Sequence, residues 1–334
     1  MSKISILGAG SWGTALALVL HRSRKEHQLC LWTRRTELAD ILQRTRVNAD
    51  YLPGFELPRQ VEITGNLEQA VEGADILLGV MPSEHARAIY TCALPSLRPE
   101  TILVSATKGL DFPGFERMTQ MISSLTAPQF PARVAALSGP SFARDAARGD
   151  PTAVVVASED AALAAEVQEE FAGPSFRLYT NTDVAGVELG GAVKNVIAIA
   201  AGVCSGLGLG HNSTAALITR GLAELTRLGC ALGGRRETLA GLAGLGDLVL
   251  TCTGALSRNR SLGVALGQGR KLAEIQSGMR MVAEGVRTTA ATLELARRHG
   301  IEMPITEQMH AVLYQDRPPQ EAIRELMERR LKTE

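Results

Sequence analysis

The sequence carries no net charge, because 35 lysines and arginines balance 35 aspartates and glutamates. Without a global basic field, neither nucleic acid nor an anionic membrane surface is an expected partner, and any anionic ligand must be held by local charges. Paired-cysteine motifs are also missing. Cys30, Cys92, Cys204, Cys230 and Cys252 are scattered, odd in number and never spaced C-x-x-C. That disfavours a disulfide framework or a zinc site and suits reduced thiols in a cytoplasm. No uninterrupted apolar run reaches the roughly 18 residues of a membrane span, so stable membrane insertion is not expected. Met1-Ser2-Lys3 leads directly into a strand pattern, with no signal-peptide profile. No internal repeat or low-complexity tract stands out.

What is present reads as globular, with 45% hydrophobic and 21% charged residues. A chain of 334 residues is too long for one comfortable core, so two domains are expected. The first half alternates short apolar runs with amphipathic ones. Strands are expected at Ile4–Leu7, Gln28–Trp32, Ile76–Val80, Ile102–Ser105, Val134–Leu137, Ala153–Ala157 and Phe176–Tyr179. Helices such as Trp12–Leu20, Leu38–Arg44 and Ala162–Phe171 lie between them. This alternation implies a mostly parallel sheet covered on both faces. After about Asp183 the pattern becomes helical, through Val187–Ala200, Thr214–Leu232, Ser257–Leu266, Ala283–His299 and Glu321–Arg330. The expectation is an α/β domain over 1–182 followed by an all-α domain over 183–334.

Ile4–Leu7 runs into Gly8-Ala-Gly-Ser-Trp-Gly13 and then a helical pattern. This is G-x-G-x-x-G between a strand and a helix. Gly8 permits the tight turn, Gly10 lets a pyrophosphate approach the backbone, and Gly13 allows close helix–sheet packing. The helix start offers N–H groups and a dipole to the phosphates. The alternative is an ordinary tight strand–helix turn. After the second strand, Leu31-Trp-Thr-Arg-Arg35 has no carboxylate until Glu37. An acidic residue there would bind a ribose 2′-hydroxyl, whereas Arg34 and Arg35 suit a 2′-phosphate. NADP(H) is therefore favoured, with NAD(H) also open if both arginines are solvated.

Two lysines call for explanation. Lys108 ends the apolar run Ile102–Thr107, where the carboxyl end of a strand should face a ligand crevice; it could equally be an exposed loop lysine. Lys194 lies within Gly190-Gly-Ala-Val-Lys-Asn-Val-Ile-Ala-Ile, where an ammonium resists burial. On a helix, Glu188, Gly191, Asn195 and Ile199 would share its neighbourhood. Such lysines persist where chemistry needs a base or a cation in a dry pocket, although a snorkelling lysine is the alternative. Gly190 and Gly191 are poor helix formers and imply close approach by another backbone or a ligand.

Three further stretches carry polar groups. In Ser138-Gly-Pro-Ser-Phe-Ala143, Gly139 and Pro140 are expected to open a helix, leaving N–H groups and the Ser141 hydroxyl for an oxygen-rich ligand or for plain capping. Asp247 follows flexible glycines and could cap a helix, hold a hydroxyl or pair with a lysine. In Ser257-Arg-Asn-Arg260, Ser257 should cap a helix whose first turn holds Arg258 and Arg260, where the macrodipole disfavours cations. A bound phosphate, gripped by arginine, Asn259 and N–H groups, would reverse that penalty; otherwise the arginines point to water.

Taken together, these stretches resemble the bacterial NAD(P)-dependent sn-glycerol-3-phosphate dehydrogenases. The similarity lies in GAGSWGTALA, ATKGL, SGPSFA, ELGGAVKNVIAIAAG, ALITRGLAEL, GLAGLGDLVLTCTG, SRNR, VAEG and EMPITE, and covers nearly the whole chain. The resemblance implies a Rossmann-type doubly wound domain followed by a helical substrate-binding and catalytic domain. It implies Lys194 as the proton acceptor in alcohol oxidation and the donor in ketone reduction. With Lys194, the residues Lys108, Gly139, Ser141, Asp247, Ser257, Arg258 and Asn259 would form the substrate site. Ser11, Trp12, Arg34, Tyr51, Lys108, Ala143, Arg258, Val282 and Glu284 would contact the cofactor; Ala143, Val282 and Glu284 rest on the resemblance alone. The implied reaction interconverts dihydroxyacetone phosphate and sn-glycerol 3-phosphate for phospholipid synthesis, in a homodimer. Two other readings compete. A keto-acid or hydroxyacid reductase would need no phosphate grip, and a non-catalytic NADPH-sensing regulator would not need both lysines with Asp247.

Overall fold

The computed structural model describes residues 1–112, 114–278 and 283–330. The chain divides into two compact units, Met1–Glu188 and Leu189–Glu334.

The first unit is built on an eight-stranded sheet. Its strands are β1 (Ser2–Leu7), β2 (His27–Trp32), β3 (Glu62–Thr64), β4 (Ile76–Gly79), β5 (Ile102–Ser105), β6 (Arg133–Ser138), β7 (Thr152–Ala157) and β8 (Phe176–Asn181). Their spatial order is β3-β2-β1-β4-β5-β6-β7-β8. All pairings are parallel except β6 with β7. The intervening helices are α1 (Ser11–His21), α2 (Thr36–Thr45), α3 (Leu67–Val71), α4 (Ser83–Ala93), α5 (Met118–Thr126), α6 (Ala143–Arg148) and α7 (Ala161–Phe171).

The continuous apolar strands follow from burial on both faces. Side chains alternate across a strand. Ile4, Ile6, Leu29, Leu31, Ile76, Leu78, Ile102 and Val104 enter one core, while Leu7, Cys30, Trp32, Leu77 and Leu103 enter the other. A sheet covered on both faces therefore shows no polar alternation in sequence. The order reverses beside β1, whose neighbours are β2 and β4. This is the switch point at which open α/β sheets bind ligands, and the glycine-rich loop leaves β1 there. Strand β3 was not expected. It is three residues long, too short for a period to register, and is recruited by pairing with β2.

The second unit has no strand among its described residues. Helix α8 (Val184–Gly206) starts in the first unit, and is followed by α9 (His211–Ala231), α10 (Arg236–Leu239), α11 (Asp247–Thr253), α12 (Arg258–Gly267), α13 (Leu272–Ser277), α14 (Gly285–Arg298), α15 (Pro304–Tyr314) and α16 (Pro319–Met327). By length and composition α8 could cross a membrane, with a mean hydropathy of 1.5, yet all of its apolar window is buried within the protein. Its apolarity is that of a core helix.

Helices α8 and α12 meet through glycine. A Cβ on Gly202 would lie 2.1 Å from the Arg260 carbonyl oxygen, and one on Gly263 would lie 2.0 Å from that of Ile199. Gly206 and Gly267, one turn further along, are nearly as tight, with Cβ positions 2.3 Å from the Val264 oxygen and 2.5 Å from the Val203 oxygen. With no side chains at the crossing, backbone lies on backbone, and the start of α12 is fixed relative to α8.

Candidate active site

The glycine-rich loop has the geometry its spacing implies. Gly8 adopts φ +124°, closed to most side chains, and a Cβ there would meet the Val80 oxygen at 2.6 Å. A Cβ on Gly13 would lie 1.8 Å from the Gly8 oxygen, so this glycine seats α1 on the sheet. A Cβ on Gly10 would meet nothing within 4 Å. Gly10, at the N-cap of α1, has no side chain to cap it, and the first turn carries no acidic residue. An open approach to a helix start whose N-cap is glycine matches a dinucleotide pyrophosphate.

Around this loop the expected cofactor residues gather unevenly. The Ser11 hydroxyl donates to the Tyr51 carbonyl at 2.6 Å, and half-buried Trp12 and Tyr51 pack against the sheet core. Arg34 and Arg35 are both exposed at the end of β2. Arg35 lies over the Tyr51 ring, 5.5 Å from its centroid, and pairs with Asp50 at 3.5 Å. Sequence spacing had shown no carboxylate there before Glu37; Asp50 arrives from a separate segment.

Beyond β5, the Lys108 ammonium donates to the Gly139 carbonyl at 2.9 Å and lies 3.5 Å from the Ser141 hydroxyl, which itself donates to Gly139 at 2.9 Å. Three expected site residues thus converge. The expected helix at Gly139–Pro140 is corrected. Gly139 adopts φ +138° as the chain leaves β6, and α6 begins only at Ala143. The turn aims the Gly139 carbonyl at Lys108, so this stretch presents an acceptor as well as N–H groups.

Lys194 is buried, at 5% exposure, and its ammonium pairs with the Asp247 carboxylate. It also donates to the Thr251 hydroxyl at 2.8 Å, which in turn donates to the Asp247 carbonyl at 2.6 Å. This excludes the snorkelling alternative and gives Asp247 the lysine as a partner. The carboxylate is placed by a π-helical turn at 242–246, closed by the Gly246 N–H on the Gly241 carbonyl at 3.0 Å. Gly190 lets that turn approach, because a Cβ there would lie 2.6 Å from the Ala243 oxygen. Thr251 was missed by sequence reasoning. Its signal is the spacing of four from Asp247, which puts both side chains on one face of α11. Neighbouring Cys252 is no nucleophile, since burial pushes its thiol up to about 12.

Glu188 and Asn195 do not join Lys194. Glu188 accepts from the Thr119 N–H at 2.9 Å, the Thr119 hydroxyl at 2.6 Å and Arg117 at 2.7 Å. Burial raises its pKa, opposed by Arg117 and Thr119. The Asn195 amide oxygen accepts from Asn259 at 2.9 Å, and the Asn259 oxygen accepts the Gly285 N–H at 3.0 Å. Asn259 therefore ties α8 to the start of α14.

Ser257 caps α12, accepting the Arg260 N–H at 3.2 Å, as expected. Arg258 is exposed in the first turn, whereas Arg260 turns back to the Ser205 hydroxyl at 3.3 Å. Half-buried Glu284 immediately precedes α14. Val282 lies outside the described residues.

Comparison with known proteins identifies the family. The family model described as NAD-dependent glycerol-3-phosphate dehydrogenase C-terminus matches residues 183–324, and its N-terminus counterpart matches 3–164. A curated protein of Koribacter versatilis named glycerol-3-phosphate dehydrogenase [NAD(P)+] is 58% identical over 335 residues, covering 100% of this chain and 99% of that protein. Its namesake in Geobacter sulfurreducens is 54% identical, covering 99% and 98%. The crystal structure of glycerol-3-phosphate dehydrogenase from Coxiella burnetii superposes with a TM-score of 0.93 at 44% identity, covering 98% of this chain and 99% of that one. On sequence, fold and site together, the chain belongs to the NAD-dependent glycerol-3-phosphate dehydrogenase family.

Proposed function

We propose that this protein is an oxidoreductase interconverting dihydroxyacetone phosphate and sn-glycerol 3-phosphate with NADP(H), and also with NAD(H), supplying glycerol 3-phosphate for glycerophospholipid synthesis. The observation that carries this reading is the buried Lys194 ammonium, held by Asp247 and Thr251 in a family member. The bound nicotinamide supplies the hydride in reduction and takes it in oxidation. Lys194 Nζ gives its proton to the carbonyl oxygen as that oxygen becomes an alkoxide, and takes it back in the reverse direction. Its charge also stabilises the negative charge growing on that oxygen. Asp247 and Thr251 fix where the ammonium points.

The rest of the assignment follows the same chemistry. Gly8, Gly10, Ser11, Trp12 and Gly13 hold the cofactor pyrophosphate, with Tyr51, Ala143, Val282 and Glu284 as further contacts. Arg34 and Arg35 receive the 2′-phosphate, with Arg35 exchanging Asp50 for it. Lys108, Gly139 and Ser141 bind the polar groups of the substrate. Ser257, Arg258 and Asn259 receive its phosphate at the start of α12, where cap and dipole favour an anion. Ser257 accepts one bond as a cap and Asn259 gives one N–H to Asn195, so each keeps a donor for that anion. The 1–182 portion serves as the nucleotide-binding domain and 183–334 as the substrate domain, in a cytoplasmic homodimer without membrane insertion.

The test is the initial rate of nicotinamide oxidation with dihydroxyacetone phosphate, using NADPH or NADH, with dihydroxyacetone as the control lacking phosphate. Turnover that needs the phosphate and prefers NADPH is expected. Preference for NADH would overturn only the Arg34–Arg35 assignment. Turnover of a keto acid with none of the phosphate ester would move the reductase reading forward, and folded protein that binds NADPH without turnover would favour the regulator.

A further inference from the structure

We propose that Asn48 is a positioning residue for the cofactor loop, acting through the peptide between Ala9 and Gly10. The inference rests on the functional reading above and names a residue that reading does not use.

Asn48 is fully buried, at 0% exposure. Its side-chain N–H₂ donates to the Ala9 carbonyl at 2.9 Å and to the Thr14 hydroxyl at 2.8 Å. A carbonyl only accepts, so the bond to Ala9 fixes which way the amide is turned. One side chain thus joins the middle of the glycine-rich loop to the first turn of α1. The residues at both ends of this clamp are distant in sequence, at separations of 39 and 34.

The consequence lies in the peptide plane. In a trans peptide the C=O and the following N–H point in opposite directions. Holding the Ala9 carbonyl toward the buried Asn48 turns the Gly10 N–H away from it. Of the three glycines in the loop, Gly10 is also the one on which a Cβ would meet nothing within 4 Å, so the backbone is open to a ligand there. Asn48 therefore orients a phosphate-facing N–H without touching the cofactor. Binding energy is preserved when such donors are set before the ligand arrives.

Asn48 is itself held. Its segment leaves α2 at Arg46, which adopts φ +57°, and closes on itself through the Val47–Glu56 bridge and the Leu57 N–H on the Arg46 carbonyl at 2.7 Å. The Leu52 N–H bonds the Asn48 carbonyl at 2.8 Å, and Ser11 ties Tyr51 to the loop. The segment is a strap drawn over the first turn of α1, with Asn48 as its buried pin.

The experiment uses the full-length protein and the variants Asn48→Asp and Thr14→Val. Asn48→Asp keeps the shape but replaces the donor with an acceptor facing the Ala9 carbonyl. Thr14→Val removes only the second partner. NADPH affinity is measured by calorimetry without substrate, alongside the melting temperature without cofactor and kcat at saturating NADPH. Asn48→Asp should raise the Kd for NADPH by about tenfold or more, as expected for losing and opposing a buried hydrogen bond, with kcat within about twofold of wild type. Thr14→Val should shift Kd the same way by less, and stands as the test if Asn48→Asp does not fold. A lower melting temperature with unchanged Kd would show that Asn48 only stabilises the fold and would overturn the proposal, as would a fall in kcat at unchanged Kd. Wild-type protein that binds neither NADPH nor NADH would overturn the functional reading, and this inference with it.

Discussion

At the scale of single residues, Lys194 and Asp247 depend on each other. Their side chains are only 6% and 2% exposed, so each charge is tolerable mainly because the other is present. Lys194→Ala should lower kcat by roughly a hundredfold to ten-thousandfold, the usual worth of a positioned acid–base group, while leaving the Kd for NADPH within error. It should also cost about 3–5 kcal/mol of stability, since Asp247 is left buried without its cation. The double variant Lys194→Ala, Asp247→Asn should recover much of that stability and none of the turnover. Chemical denaturation with single-turnover kinetics separates the two effects, and near-normal turnover in Lys194→Ala would end the proton-donor assignment. The lysine was visible in the sequence because a charge within an apolar helix is costly wherever the helix goes. Its partner was not identifiable, because Asp247 lies 53 residues away and several roles suited a carboxylate after glycines.

At the scale of elements, glycine decides how closely helices approach. The crossing of α8 and α12 places Ser257 and Arg258 at a helix start anchored by Asn259 to Asn195. Gly263→Ala would put a Cβ 2.0 Å from the Ile199 oxygen, on backbone that cannot turn aside as a side chain could. The expected cost is on the order of 3 kcal/mol, with a raised KM for dihydroxyacetone phosphate as α12 is pushed outward. A melting curve and a KM measurement check this; an unchanged melting temperature would mean that the helices do not meet this tightly. The spacing of four at Gly202–Gly206 and Gly263–Gly267 was present in the sequence, but it does not say which helix pairs with which. Close approach at Gly190 was legible, because two glycines in a helix demand a reason. The turn at Gly139 was misread as a helix start, since Gly-Pro suits both; β6 ends at Ser138, Gly139 turns the chain at φ +138°, and α6 starts only at Ala143.

At the scale of the whole molecule, stability depends on pH through a group away from the chemistry. Glu224 is 1% exposed on α9 and accepts the Ile305 N–H at 2.6 Å and the Thr306 N–H at 3.2 Å, capping α15. Burial pushes its carboxyl up to about 7 from 4.5, against those bonds. The folded state thus holds this proton more tightly than the unfolded one. The stabilisation is fully present below about pH 4.5 and is lost as pH rises through about 7. Glu224→Gln cannot ionise, so its stability relative to wild type should rise between pH 5 and pH 8 by on the order of 3 kcal/mol. Urea unfolding of both proteins at the two pH values is the check, and a constant difference would show that Glu224 does not titrate in this window.

The sequence by itself determined what each segment needs from its own neighbours. Strands apolar on both faces, a helix period, the φ of Gly8 and the cap at Ser257 are local requirements, met within a few residues. Family membership was legible for the same reason, since long motifs record many such requirements at once. Only the tertiary structure decided who meets whom. It brought Asn48 to Ala9, Asp50 to Arg35, Thr251 to Lys194 and Gly202 to Gly263, and it recruited the three residues of β3 as a strand. A buried polar group or a bare glycine states in sequence that a partner is required. Many residues can satisfy that demand, and the choice among them is made when distant segments pack.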